Sequence, residues 1–178
     1  MTGSFLVLEF LNHGAGEIVD PIVSFRMAGT GAWEYQFYED RMLLGSVSCV
    51  LKLNATVRIT APGISWYSSF NMDNTIVPGI SRKVNENTVG EEVYRIVYCQ
   101  RNFYRMIRGD ANILVERRDG ACLFGAEGMP VTAITERIED WPWSPPGAEP
   151  YFVTGFYGEK ISREFCLAVL AFPALRFC

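Results

Sequence analysis

The chain has 178 residues, of which 49% are hydrophobic and 13% aromatic, and its net charge is −4 at pH 7. This length fits one domain, and this apolar content can bury a sizeable core, which argues against a disordered chain. A nucleic-acid-binding face must neutralise phosphates with basic residues, so an acidic chain with a pI near 5.1 argues against a nucleic-acid partner.

The N-terminal residues and the cysteines predict a cytoplasmic protein. Residues 1–20 lack the basic segment, the apolar segment and the cleavage site of a secretory signal. The five cysteines are odd in number and form no Cys-x-x-Cys pair, so we expect reduced thiols, mostly in apolar segments. These cysteines are Cys49, Cys99, Cys122, Cys166 and Cys178.

A period of two in the apolar residues predicts strands in the first half of the chain. Aromatic residues alternate with other residues at 33–38, and apolar residues alternate with polar ones at 57–60. Apolar runs bounded by turn residues predict further strands at 5–11 and 42–53. Gly45, inside the second of these runs, predicts a bend or a bulge.

The middle of the chain predicts a β-meander. Short strands separated by turn residues are expected at 93–100, 102–107, 113–117, 122–126 and 131–137. Asp119-Gly120 between two apolar runs predicts a hairpin with a type I′ turn, which needs positive φ at both central residues. Such a meander must close on itself or cover its edges.

The C-terminal part breaks the period of two. Four prolines at 139–150 exclude a regular ladder and predict a surface loop. Ser162 is a suitable N-cap for a helix, and Glu164 favours its first turn. Residues 165–172 are eight consecutive apolar residues, and Pro173 ends or kinks the helix.

Two interpretations account for a helix that is apolar on every side. A membrane span needs about 20 apolar residues, and this run has eight and no basic flank, so we expect no transmembrane span. The favoured interpretation places the helix inside a closed sheet. The predicted fold is mainly β: a closed antiparallel β-barrel of about 10–12 strands around a buried hydrophobic C-terminal α-helix.

This order of elements, together with Ser-Arg-Glu-Phe-Cys-Leu-Ala-Val-Leu at 162–170, resembles the tubby C-terminal-like superfamily. The superfamily includes LURP-one-related proteins and phospholipid scramblases. The resemblance implies one domain over 1–178, with a meander at 1–138, a Pro-rich loop at 139–150, and the last strand and central helix at 151–178. Tubby domains bind phosphoinositide headgroups through basic residues, so the resemblance implies an anionic phospholipid as a partner.

The chain has few residues suited to catalysis. Its one histidine, His13, lies in a turn-like segment, and Ser-His-Asp or Cys-His chemistry would have to use it. Sequence motifs for nucleotide loops, nucleophile elbows and zinc sites are absent. We therefore expect no enzyme, no cofactor and no metal. The acidic pairs Glu39-Asp40 and Glu139-Asp140 leave a carboxylate hydrolase as an alternative.

Residues 82–118 carry a local charge of +3 in this acidic chain. Arg95, Arg105 and Arg117 lie on predicted strands and could share one exposed face that binds phosphate. The alternative is a solvated face with cross-strand ion pairs to Glu92 and Glu116. The full set of candidate anion-binding residues is Arg82, Lys83, Arg95, Arg101, Arg105, Arg108 and Arg117.

These observations predict a non-enzymatic binding or scaffold domain that takes a phosphoinositide or another phosphate-bearing anion through arginines. The expected location is the cytoplasm, with peripheral membrane contact if the ligand is a lipid. A structural or protein-interaction domain without a small ligand is the alternative from a different class. An enzyme of unrecognised type is the third interpretation, and it requires a cleft with converging ionisable groups.

Overall fold

The computed structural model describes residues 21–28, 32–51, 54–71, 80–85, 88–100, 102–126, 131–156 and 163–173. This part of the chain forms twelve strands and one helix. The strands are β1 (Ile22–Met27), β2 (Ala32–Glu39), β3 (Met42–Leu51), β4 (Asn54–Ala61), β5 (Ile64–Asn71), β6 (Ile80–Asn85), β7 (Thr88–Gln100), β8 (Phe103–Arg108), β9 (Ala111–Arg118), β10 (Ala121–Ala126), β11 (Val131–Arg137) and β12 (Ala148–Phe156), and the helix is α1 (Arg163–Ala171).

The twelve strands form one closed antiparallel barrel. Each strand pairs with its neighbour along the chain, and β12 returns to pair with β1. Closure gives each described strand a partner strand on both sides, so none of the twelve described strands is an edge strand of an open sheet. The predicted closed antiparallel β-barrel is confirmed.

All five strands predicted in the middle of the chain are present as β7 to β11, and the strands predicted in the first half at 33–38, 42–53 and 57–60 are present as β2, β3 and β4. The strand expected at 5–11 lies outside the described residues. The alternation did not predict β1, β5 or β6. In β5 the residue that follows Trp66 on the buried face is Ser68, and in β1 Ile22 to Phe25 are buried on both faces. Neither strand therefore shows an apolar–polar alternation.

A β-bulge lies at Gly45, as the sequence predicts. The pairing of β2 with β3 shifts register between Phe37, which faces Gly45, and Tyr38, which faces Leu43. A Cβ atom at position 45 would lie 2.6 Å from the carbonyl oxygen of Thr60. Only glycine therefore allows β4 to approach β3 this closely.

The hairpin between β9 and β10 is present, but its turn is not type I′. Gly120 has a φ of 72°, whereas Asp119 is not among the residues with positive φ. A type I′ turn requires positive φ at both positions. The hairpin prediction is confirmed, and the predicted turn type is wrong because glycine alone takes the left-handed conformation.

The Pro-rich segment is shorter than predicted, because β12 begins at Ala148. Pro150 lies within this strand, opposite Phe25 and next to a register shift, where a missing N–H group is tolerated. Residues 138–147, which we call the outer strap, lie against the outer face of the barrel. There the Trp143 ring contacts the rings of Phe25 and Tyr38, with centroids 5.9 and 5.4 Å apart.

The helix occupies the predicted segment and ends before Pro173. Residues 167–172 are buried, and they belong to the same apolar cluster as the inner-face residues of the strands. The Phe172 ring contacts the rings of Tyr104 and Phe124 at 5.8 and 5.5 Å. Ser162, the predicted N-cap, lies outside the described residues. Among the described helices there is none with the length and hydropathy to cross a membrane.

The cysteines differ from the expectation that all are reduced. Cys99 and Cys166 are free, but Cys122 is disulfide-bonded, so the prediction is wrong for Cys122. Wide spacing along the sequence does not keep cysteines apart, because a closed sheet brings distant segments together. The side chains of Cys49 and Cys178 lie outside the described residues.

Phe172→Ala tests the contribution of the helix to the core. Phe172 is fully buried, so truncation should lower the free energy of unfolding by about 3–5 kcal/mol. The matched control is Leu43→Ala, because Leu43 is 50% exposed and its truncation should change stability by less than about 0.5 kcal/mol. Urea denaturation measures both. A Phe172→Ala effect as small as that of the control would contradict this packing.

Cys99 and Cys166 should differ in thiol reactivity. Burial raises the pKa of the Cys166 thiol to about 11, and Cys99 lies exposed on the surface. At pH 8 only about one Cys166 thiol in a thousand should be ionised, so iodoacetamide should label Cys99 first. Labelling of Cys166 should accelerate as the pH rises toward 11. Peptide mass spectrometry measures both rates, and equal rates at pH 8 would show that Cys166 is not protected.

Candidate functional site

The two ends of the barrel carry different side chains. The turns at Asn102 and Gly120 lie at one end, which we call the Gly120 end. The turns at Asp40, Gly63 and Gly109 lie at the other, which we call the Gly109 end. Because neighbouring strands run in opposite directions, β1, β7, β9 and β11 all finish at the Gly120 end.

At the Gly109 end, Arg108 attaches the start of α1 to the barrel. Its guanidinium forms a hydrogen-bonded ion pair with the Glu164 carboxylate and lies 5.7 Å from the centre of the Tyr94 ring. The Glu164 hydrogen bond raises the pKa of Arg108, and burial raises the pKa of the Tyr94 phenol. Arg108, predicted to bind anions, thus already has an anionic partner within the chain.

The structure separates the three arginines that were predicted to share one face. Arg95 and Arg105 alternate with buried residues on β7 and β8, so they lie on the outer face. Arg117 follows the buried Val115 by two residues, which places it in the inner-face set at the Gly120 end. The Arg95 side chain forms an exposed ion pair of 3.0 Å with Glu92.

The structure describes the remaining predicted residues only in part. The side chains of Arg82 and Lys83, on β6, and the whole of Arg101 lie outside the described residues, so their anion binding stays a prediction. Arg105 is half-buried on the outer face of β8. Arg118, next to Arg117, forms an exposed ion pair of 3.1 Å with Glu116.

Three arginines lie instead along one side of the Gly120 end, and we call Arg26, Arg117 and Arg137 the arginine crescent. They occupy the last or next-to-last positions of β1, β9 and β11, which are alternate strands of the barrel. Arg26 faces the buried Tyr35, and Arg137 faces the buried Phe152, so both belong to the inner-face set.

Tyr151 connects two members of the crescent. The register shift between β1 and β12 leaves Tyr151 without a paired residue, and its ring lies against Tyr35 at 5.5 Å. The Cζ atom of Arg137 lies 4.5 Å from the centre of this ring, and that of Arg26 lies 5.8 Å from it. Both guanidiniums are therefore held at the rim by cation–π contact with one tyrosine.

The three arginines of the crescent form no ion pair with the described residues. Among the described residues, none of its three guanidiniums has a carboxylate oxygen within 4.0 Å. Glu149 is opposite Arg26 in the register and is exposed, but it does not form an ion pair with it. The crescent thus keeps its positive charge and its N–H donors available, and guanidiniums bind phosphate and carboxylate oxygens in pairs of hydrogen bonds.

Sequence reasoning named only Arg117 of this crescent. Arg26 was missed because β1 has no alternation, and because its pairing with β12 joins segments more than 100 residues apart. Arg137 was the last residue of a predicted strand, and that position was the one local signal that it lies at a barrel rim. Nothing in the local pattern places it beside Arg26.

The described residues contain no cluster of three or more His, Cys, Asp or Glu side chains that could hold a metal. His13 and Gly29-Thr30-Gly31 lie outside them. Glu39 and Asp40 lie at the turn between β2 and β3, and Glu139 and Asp140 are exposed on the outer strap. The two acidic pairs are therefore on separate segments of the surface.

Comparison with known proteins adds no relative, since the chain matches no protein-family model, no curated protein and no solved structure.

Proposed function

We propose that the chain is a non-enzymatic binding domain whose arginine crescent takes a phosphate-bearing anion. The observation that carries this proposal is the pair of guanidiniums on the Tyr151 ring, neither of which has a carboxylate partner within the described chain. Arginine stays protonated at physiological pH, so it binds and orients an anion but does not act as a general base.

The proposal includes α1 as a central element of the barrel. Phe165 contacts Phe156 of β12 at 6.4 Å, and Phe172 contacts rings from β8 and β10. A helix in touch with three separate strands, with residues 167–172 buried, supports the interpretation that the barrel surrounds it. This position would fill the interior and leave the two rims as the surfaces for binding.

We also propose membership of the tubby C-terminal-like superfamily. A twelve-stranded closed antiparallel barrel followed by an apolar helix supports this assignment. It rests on architecture, and one architecture supports many functions, so the anion site rests on its own residues. A cytoplasmic location with peripheral membrane contact stays a prediction, and the disulfide at Cys122 argues against a strongly reducing compartment.

Arg137→Gln tests the proposal, because it removes the guanidinium closest to Tyr151. The loss of charged hydrogen bonds of about 1.5–3 kcal/mol should weaken pyrophosphate binding about 10-fold or more in titration calorimetry. Arg118→Gln is the matched control: it makes the same charge change at the same end of the barrel, at a residue already paired with Glu116. The control should keep the affinity within about twofold, because a paired surface charge contributes little.

A second measurement identifies where the phosphate comes from. Flotation with vesicles that contain phosphatidylinositol phosphate, against vesicles of phosphatidylcholine alone, tests a lipid headgroup, whereas calorimetry with pyrophosphate tests a soluble anion. Equal losses in Arg137→Gln and Arg118→Gln would indicate a non-specific charge effect and contradict the crescent. If the unsubstituted chain bound neither probe, the protein-interaction or scaffold function would replace this proposal.

A further inference from the structure

The hairpin of β2 and β3 carries two adjacent exposed apolar side chains at its tip. Met42 is 59% exposed and Leu43 is 50% exposed, and they are the first two residues of β3 after the turn. Among the described side chains, Tyr98 on β7 is the one other large hydrophobic residue that is exposed. Single exposed apolar residues are common on protein surfaces, whereas neighbouring ones at one tip indicate a contact surface.

The tip of the next hairpin, between β4 and β5, lies beside this one. β4 pairs with β3, and a Cβ atom at Gly45 would lie 3.3 Å from the Cβ atom of Ala61. Beyond this contact, both strands continue to their turns at the Gly109 end. Residues 61–64 read Ala-Pro-Gly-Ile and carry no charge, and Pro62 and Gly63 are exposed. We call residues 42–43 and 61–64 together the apolar tip.

The apolar tip is better suited to a lipid surface than to a protein partner. A stable protein interface takes about 20–30 residues from each side, and the apolar tip consists of two short stretches at the ends of two hairpins. A bilayer requires no complementary shape, because apolar side chains gain free energy wherever they enter its hydrocarbon. Segments that lie at a membrane surface bury their apolar groups about 5–10 Å into the boundary between headgroups and acyl chains.

The residues that border the apolar tip are of the types found at the headgroup level of a membrane. Arg41 is exposed, and its Cζ atom lies 5.7 Å from the centre of the Trp143 ring on the outer strap. Tryptophan and long basic side chains both favour this level of a membrane. Glu39 and Asp40 outweigh the charge of Arg41, so the turn has no net attraction for anionic lipids. The expected partner is therefore a zwitterionic lipid.

We propose that the apolar tip inserts into the surface of a zwitterionic membrane, with Met42 and Leu43 among the acyl chains and Arg41 among the headgroups. The arginine crescent lies at the other end of the barrel, where β1, β9 and β11 finish. A chain held by the apolar tip turns the crescent toward water, where it can take a soluble anion. The inference goes beyond the proposed anion-binding function and uses none of the crescent residues.

Flotation of the full chain with phosphatidylcholine vesicles tests the insertion. The unsubstituted chain should float with the lipid, and the double variant Met42→Gln/Leu43→Gln should lower the partition coefficient about 10-fold or more, because it removes the apolar surface that enters the bilayer. Tyr98→Gln is the matched control, since it removes an exposed apolar side chain at the opposite end. The control should stay within about twofold, and equal losses in both variants would overturn the proposal.

A second measurement needs no substitution at the apolar tip. Cys99 is a free, exposed thiol near the end of β7, which finishes at the Gly120 end, so a maleimide nitroxide attached to it reports on the end opposite the tip. On vesicle-bound protein this nitroxide should stay accessible to a water-soluble nickel chelate and show no gain in accessibility to oxygen, which concentrates in hydrocarbon. A nitroxide protected from nickel would show the reverse orientation and overturn the proposal.

The outcomes separate this inference from the proposed function. If phosphatidylcholine vesicles do not bind the unsubstituted chain, the insertion is overturned, whether or not pyrophosphate binds. If flotation depends on Met42 and Leu43 while pyrophosphate does not bind, the insertion stands and the anion site falls. If sedimentation instead finds a dimer that the double variant abolishes, and vesicles do not bind, the tip is an interface between two copies of the chain and the membrane assignment is wrong.

Discussion

The pairing of β12 with β1 is the constraint on which the remaining architecture depends. It joins Ile22 with Thr154 and Val23 with Val153, and it converts a meander with two exposed edges into a barrel with none. The same pairing contains the register shift that turns Tyr151 toward Arg26 and Arg137. Closure of the sheet and assembly of the arginine crescent therefore depend on one pair of strands.

The apolar residues divide into two groups on either side of this sheet. One group contains the inner-face residues of the strands and also Phe172, and the other, the outer group, packs Phe25 and Val153 beneath the outer strap. The outer group explains why β1 and β12 are apolar on both faces although antiparallel strands usually expose one face to water. Trp143 of the strap covers these outer-face residues and keeps solvent away from them.

Local patterns in the sequence were sufficient for the strands of the middle region, because hairpin partners are adjacent in the chain and turn residues such as Gly120 mark their limits. They were also sufficient for the helix, whose eight apolar residues end at Pro173. They were insufficient for the candidate site, because Arg117 shares a surface with Arg137 and not with Arg95 according to the face that each side chain occupies, and because Arg26 joins Arg137 only when the barrel closes. The strand period predicts the face of the sheet on which each arginine lies. Only the long-range pairing of β1 with β12 determines that Arg26 lies beside Arg137.

The closing pair joins the first and last described strands, so nearly the whole domain must be synthesised before this pairing can form. Contacts this distant in the chain slow folding, and the nascent chain would leave the ribosome as an incomplete ribbon with an unpaired edge. Until β12 and the outer strap are in place, β1 keeps an open edge and its outer-face residues Val23 and Phe25 stay uncovered. Pairing of the last strand therefore completes the ladder and covers the outer face of β1 in one late step.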